Sequence, residues 1–441
     1  MSDALENVIE SGSARRAELE LLEPQPDAPS SPCRAVQGEK PNGASRRGDV
    51  FDKAFAFTRA DEAEAAGMHP YFKPIAEQHG GTVVVGGREM VITGSNDYLG
   101  LTQDPRLKEA SRRALDTFGT SCTGSRFLTG TLTLHETLEK RLAEFLRAES
   151  ALTFSAGFLG SLAVLSALTG RQDILYFDRE NHACLYDGAR LSYGTLRKYE
   201  HGNLADLERL LQRDRDKPGG RMIVTDGVFS MTGHVADLPG IIAIARRYGA
   251  RVVVDDAHAT GVLGPTGRGT AEHFGLEREV DLILGTFSKS FASVGGFVTG
   301  PRAVVNFIKH KARPFIFTAA LPAMQMAAAL AALEIMDAEP EHRQRLWENV
   351  AVLRTGMNEL GFDTLGSQTP IVPVLIGDDE LTMAVWKGLW EEGIFTTPAL
   401  PPSVPVGQAI IRTSVNANHT PEQLEKLLTA FGRVGKRFGV I

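Results

Sequence analysis

Between about residues 150 and 300, short apolar β-branched runs alternate with stretches of helical periodicity, and this alternation constrains the fold more than any other feature. Residues 222–225, 251–255 and 281–286 read as strands, with residues 238–248 a helix between the first two. Strands joined through helices run parallel, and a parallel sheet must be covered on both faces. The expected class is therefore α/β, with a mostly parallel central sheet under helices. Ligands in such sheets sit beyond the carboxyl ends of the strands, which is where the polar residues of interest fall here.

The flanking segments follow local rules. Residues 82–93 read as a hairpin, two β-branched runs about Gly86-Gly87. Asp104 and Pro105 open a helix that Gly119 closes, with Leu107, Ala110, Ala114, Leu115 and Phe118 on one face. Thr133 and Glu136 fit a capping box for a second helix, striped by Leu134, Leu138, Leu142 and Phe145. Residues 321–336 are too short and too interrupted for a membrane span and read as a buried helix. A β/α mixture with strands near 369–376 and 408–414 follows. No internal repeat is visible. Residues 1–50 lack aromatic residues and scatter Pro24, Pro26, Pro29, Pro32 and Pro41 among small and acidic residues. They are expected to be a mobile tail with at most a short helix near 17–22. The expected division is a tail over 1–50, an amino-terminal segment with the hairpin over 51–95, a large domain over 96–322 and a small carboxyl-terminal α/β domain over 323–441.

Composition excludes several function classes. With 47 basic and 54 acidic residues the net charge is −7, so no general attraction to nucleic acid or anionic membranes is expected. Three widely spaced cysteines give neither a disulfide framework nor a zinc ribbon, and no targeting segment is visible. A cytoplasmic location is expected.

The chemistry gathers at a few strand ends. Gly-Thr-Phe-Ser-Lys-Ser at 285–290 delivers Lys289 among hydroxyls. A lysine made partly neutral by burial can form a Schiff base, although the segment alone equally fits a surface loop. Val-Val-Val-Asp-Asp-Ala-His at 252–258 ends an apolar strand on Asp255 and places His258 three residues on. A buried carboxylate needs a partner, and a protonated ring nitrogen of a cofactor would supply one. As a metal site the pair lacks a third ligand; as a structural Asp–His contact it needs none. Ser-Ala-Gly-Phe at 155–158, Asn-His at 181–182 and Asp-Gly-Val-Phe-Ser-Met-Thr-Gly at 226–233 each also fit a turn, a core histidine or a cap. Taken together they describe a site: backbone N–H groups at Gly157 and Phe158 to hold a phosphate, Thr286 to add a hydroxyl, and His182 to lie over a flat ring.

With Asn-Asp-Tyr-Leu-Gly-Leu at 96–101, Gly-Ser-Arg-Phe-Leu-Thr-Gly-Thr at 124–131 and Gly295-Gly296, these motifs resemble, in order and spacing, the α-oxoamine synthase family over about residues 65–435. That family comprises pyridoxal-5′-phosphate (PLP)-dependent acyltransferases of the aspartate-aminotransferase fold, fold type I. Gly-Ser-Arg-Phe-Leu, the 285–296 stretch and Pro401-Pro402 most resemble its bacterial serine palmitoyltransferase branch. Asp256 stands where relatives usually carry glutamate, and Ala259-Thr260 replaces a commoner glycine-containing pair.

The resemblance implies roles. Lys289 would hold the cofactor, Asp255 would pair with its pyridine nitrogen, and Ser230 and His258 would bond its phenolic oxygen. His182 would stack on the ring and touch the substrate carboxylate. Gly157, Phe158 and Thr286 would take the phosphate, with Thr318 reaching across from a neighbouring subunit. Arg412 and Asn96 would receive the amino-acid carboxylate, with Ser403 close by. Residues 96–322 would form the PLP-binding domain. The implied reaction condenses L-serine with palmitoyl-CoA, with loss of carbon dioxide and CoA, to give 3-oxosphinganine in sphingolipid biosynthesis. The alternatives are alanine or glycine as amino acid, an acyl-carrier-protein thioester as donor, or a non-catalytic partner subunit. A homodimer is implied; a metal is not.

Overall fold

The computed structural model describes residues 48–441; the tail expected over 1–50 lies outside the described residues except for 48–50, and so does the short helix near 17–22. Residues 63–441 form one compact unit, apart from the preceding segment.

The unit holds three sheets. Strands β1 (Glu77–His79), β2 (Thr82–Val85) and β3 (Arg88–Ile92) form an antiparallel meander. The β2–β3 hairpin turns where expected, with φ +57° at Gly86 and +74° at Gly87. Two consecutive positive φ values match the right-handed strand twist and strain any residue with a Cβ.

The central sheet has seven strands: β4 (Ser150–Phe154), β5 (Ile174–Asp178), β6 (Thr195–Tyr199), β7 (Arg221–Asp226), β8 (Arg251–Asp255), β9 (Leu282–Thr286) and β10 (Gly296–Gly300). Their spatial order is β4-β10-β9-β8-β7-β5-β6, parallel from β9 to β6, with β10 antiparallel to both its neighbours. Alternate residues feed opposite cores. Leu175, Phe177, Val224, Val253 and Leu284 pack with the helices Gly157–Leu168 and Ala183–Leu191, whereas Ile174, Tyr176, Ile223, Val252, Val254 and Ile283 pack with Leu204–Arg213 and Leu238–Tyr248. Burial on both faces explains why these strands read as continuous apolar runs.

A third sheet, β11 (Ile371–Gly377), β14 (Ala409–Ser414) and β13 (Thr397–Ala399), is antiparallel, while β12 (Ile394–Phe395) adds in parallel to β3. The helix Ala323–Ala338 is buried along much of its length, as its apolar composition requires.

Two local expectations change. The helix Pro105–Phe118 has the foreseen caps, Asp104 accepting from the Arg106 N–H at 2.8 Å and Gly119 closing it, but only Leu107 and Ala114 are buried and Leu115 is 39% exposed. The helix Thr133–Phe145 is capped at Leu132, whose N–H donates to Nδ1 of His135 at 3.0 Å; the ring of His135 takes the part assigned to Glu136. In both cases tertiary neighbours decided between faces or caps that periodicity left nearly equivalent.

Candidate active site

Three parallel strands end side by side on polar residues. Asp226 of β7 stands in register with Asp255 of β8, and β9 ends on Thr286. The backbone turns sharply after Asp255, where the Ala257 N–H donates to its carboxylate at 3.0 Å. Lys289 follows Thr286 in the bend that returns the chain to β10, with the Ala292 N–H on its carbonyl at 2.9 Å.

The helix Gly157–Leu168 opens onto the same strand ends. A Cβ on Gly157 would lie 3.0 Å from both Cβ and Oγ1 of Thr286, and one on Gly296 would lie 2.4 Å from Cα of Gly157. Glycine at both positions lets the helix amino terminus approach Thr286, so its unpaired N–H groups face the space an anion would fill.

The result is a cavity of about 270 Å³ lined by Gly157, Phe158, His182, Asp226, Asp255, His258, Thr286 and Lys289. Burial pulls the Lys289 ammonium down to about 8, more than Asp255 raises it, so a useful fraction is neutral near neutral pH. Burial, reinforced by the charge of Asp255, pushes the Asp226 carboxyl well above the ordinary range. One oxygen of Asp226 accepts the His182 N–H at 3.1 Å, and the other, buried, has no partner. His182 and His258 are both held below their usual pKa, chiefly by burial, with the positive charge of Lys289 adding to it.

These features test the site against PLP. Two neighbouring buried carboxyls, one with an unpaired oxygen, call for a cation, and a protonated pyridine nitrogen is one. A helix amino terminus with a glycine cradle and a threonine hydroxyl suits a phosphate. A partly neutral lysine between them suits an aldehyde. The residues fit the group.

A second cavity of about 560 Å³ adjoins the first through His182 and contains Ser230 and Ser403. Asn96 and Arg412 line neither cavity but join them by hydrogen bonds. Arg412 donates from Nε to the Ser230 carbonyl at 2.8 Å and from Nη2 to Oδ1 of Asn96 at 3.0 Å. The Tyr98 hydroxyl lies 3.3 Å from that same oxygen and 2.7 Å from Nδ1 of His258. Thr318 lies outside both cavities of its own chain, beside Ala319, which bridges to Ser125.

Three residues of the site escaped the sequence reading. Asp226 closes its strand as Asp255 does, a signal that was present. Tyr98 lay inside a quoted motif. Cys184 lines the first cavity, with Sγ 3.9 Å from the Asp255 carboxylate, and nothing in the sequence marked it.

Residues 88–431 match the family described as aminotransferase class I and II. The chain belongs to that family. Within it, the chain is 44% identical to a serine palmitoyltransferase of Bacteriovorax stolpii, over 92% of this chain and 97% of the relative. It is 40% identical to an 8-amino-7-oxononanoate synthase of Thermoanaerobacter pseudethanolicus, over 89% and 99%. The structure of a serine palmitoyltransferase from S. paucimobilis with a bound PLP–myriocin aldimine superposes with a TM-score of 0.86 at 33% identity, covering 89% of this chain and all of that one. The family member described here is thus a fold type I, PLP-dependent acyltransferase of the α-oxoamine synthase group. Among the described residues no helix is long and apolar enough to cross a membrane.

Proposed function

We propose that the chain condenses L-serine with a long-chain acyl-CoA, palmitoyl-CoA, to give 3-oxosphinganine, carbon dioxide and CoA. The observation that carries this reading is the pair of cavities sharing His182. The first holds Lys289 and Asp255; the second is walled by Phe229, Met231, Leu365, Val404, Pro405 and Ile410. Arg179, the arginine on that second wall, is ion-paired to Glu200 at 2.6 Å, which supports an uncharged acyl chain over one ending in an anion.

Bound PLP supplies an electron sink at the carbon that loses its proton. In this reading Lys289 is the attachment point and the base that takes the Cα proton of serine. Asp255, with Asp226 beside it on the neighbouring strand, would keep the pyridine nitrogen protonated. Ser230 and His258 face the phenolic oxygen, and Gly157, Phe158 and Thr286 take the phosphate. His182 lies over the ring. Arg412 and Asn96 bind the serine carboxylate, since a guanidinium fork matches it bidentately, with Ser403 close to the substrate. The new carbon–carbon bond would form at the thioester carbonyl with thiolate leaving, the carboxylate would depart as carbon dioxide, and Lys289 would return the proton to that carbon to give the amino ketone.

The same reading makes residues 96–322 the PLP-binding domain and 323–441 the small domain, and places the enzyme in the cytoplasm as a homodimer. Exposed Phe127, Leu128, Phe158 and Phe317 support a dimer, with Thr318 of that region reaching the partner's phosphate site.

Similarity at 40–43% to 8-amino-7-oxononanoate synthases keeps a second reading, in which alanine or glycine, or a carrier-protein thioester, is the substrate. A non-catalytic partner subunit fits poorly with a lysine kept partly neutral beside Asp255. Product mass spectrometry after offering serine, alanine and glycine with acyl-CoA and acyl-carrier donors decides among them. A serine-derived C18 amino ketone from the CoA donor is expected; products from alanine or glycine alone would overturn the proposal.

A further inference from the structure

Tyr98 belongs to the Asn-Asp-Tyr motif, and its ring is held deep in the protein at 1% exposure. The neighbouring Asp97 fixes this turn, its carboxylate accepting from the Leu101 N–H at 2.9 Å and from the Thr102 hydroxyl at 2.5 Å. The hydroxyl of Tyr98 carries one proton and lies 2.7 Å from Nδ1 of His258 and 3.3 Å from Oδ1 of Asn96. Oδ1 of Asn96 already receives Nη2–H of Arg412 at 3.0 Å. Length separates the two contacts: 2.7 Å to Nδ1 is a well-formed hydrogen bond and 3.3 Å to Oδ1 is a long one, which favours Nδ1 as the acceptor of the hydroxyl proton. Nε2 of His258 makes no hydrogen bond among the described residues, and the ring lines the cofactor cavity.

We propose that Tyr98 is a positioning residue for His258: by donating to Nδ1 it holds the imidazole as the neutral tautomer that presents Nε2–H to the cavity. The proposal rests on the reading of His258 as the partner of the cofactor's phenolic oxygen. A donor there stabilises that oxygen as an anion, whereas the opposite tautomer would aim a lone pair at it. The surroundings agree. Burial first, then the charges of Lys289 and Arg412 that face the ring, keep His258 from becoming an imidazolium, and His182, the other titratable group facing it, would oppose a second charge there. Burial pushes the Tyr98 hydroxyl up to about 12, so it keeps its proton throughout the working range.

The test is nitrogen-15 NMR of histidine-labelled apoprotein, with the His258 signals assigned by their loss in His258→Ala. In the unsubstituted chain Nδ1 is expected to show the unprotonated shift and Nε2 the protonated one; a protonated Nδ1 overturns the proposal without any variant having to fold. In Tyr98→Phe the tautomer ratio is expected to fall about fivefold, the equivalent of roughly 1 kcal/mol for a lost neutral hydrogen bond. An unchanged ratio overturns it as well. A second readout separates this inference from the reading beneath it. The pH midpoint of the visible absorbance of the holoenzyme is expected to move in both Tyr98→Phe and His258→Ala. Should the NMR behave as expected while His258→Ala leaves that midpoint in place, the tautomer lock stands and the contact of His258 with the phenolic oxygen is what falls.

Discussion

Lys289 is useful because of where it ends up rather than what it is. An ordinary lysine is almost wholly protonated near pH 7 and is a poor nucleophile, and burial brings this one to about 8. Uptake of PLP by the apoprotein, followed by the growth of visible absorbance, is expected to accelerate with rising pH through a midpoint near that value, because only the neutral amine attacks an aldehyde. A midpoint near that of free lysine would show the amine to be solvated. Lys289→Ala is expected to abolish both the visible absorbance and all turnover. Arg412 is held before substrate arrives, by Ser230 and Asn96 and by the Thr396 hydroxyl on its carbonyl at 2.9 Å. Arg412→Ala is expected to weaken amino-acid binding roughly ten- to hundredfold, from about 1.5–3 kcal/mol for a hydrogen bond to a charged group. Titration of serine against the holoenzyme spectrum checks this, and unaltered affinity would remove Arg412 from the site.

Elements place these residues by their ends. The helix Gly157–Leu168 reaches the cavity only because Gly157 and Gly296 carry no Cβ. Gly296→Ala would set a methyl 2.4 Å from the Gly157 backbone, which must then move away from Thr286. PLP affinity measured by equilibrium dialysis is expected to drop more than the thermal midpoint does. The Gly-Ser-Arg motif has a structural part. Arg126, nearly buried, pairs with Glu139 of the helix Thr133–Phe145 at 2.7 Å and donates to the Thr153 hydroxyl of β4 at 3.0 Å. Arg126→Ala leaves the Glu139 carboxylate half-buried without its cation, and a loss of about 3–5 kcal/mol in chemical denaturation is expected.

Across the whole unit, a half-buried polar chain ties the central sheet to the carboxyl-terminal region. His201 bonds Asp178 at the end of β5 at 2.9 Å and His234 at 3.2 Å, and His234 in turn bonds the Leu365 carbonyl at 2.8 Å. Leu365, at one end of this chain, and Phe229, whose ring packs edge-on against His201 at 4.4 Å, wall the second cavity. Burial alone would lower the pKa of His201, but the hydrogen bond and charge of Asp178, with Glu180, outweigh it and leave the value raised. A group whose folded pKa is raised contributes stability that is complete below its unfolded value, about 6.5, and is lost as pH rises through the folded one. The gap in denaturation free energy between the native chain and His201→Ala is therefore expected to be largest near pH 6 and to shrink above neutrality. A pH-independent gap would show that the ring acts only by packing.

The sequence by itself determined the fold class and, through its ordered motifs, the PLP-dependent acyltransferase family. Apolar runs that feed two cores show as unbroken hydrophobicity and glycines at positive φ mark the hairpin, because each signal is local, whereas a lysine and an aspartate near strand ends point to a candidate site only when the motifs are taken together. It did not determine which side chains meet. Tyr98 reaches His258 across 160 positions and Arg412 reaches Asn96 across 316, and no local pattern records such distances. His135 displaced Glu136 at a cap and Leu115 turned to solvent for the same reason: propensities differ by tenths of a kcal/mol, and tertiary packing, worth several times that, makes the choice.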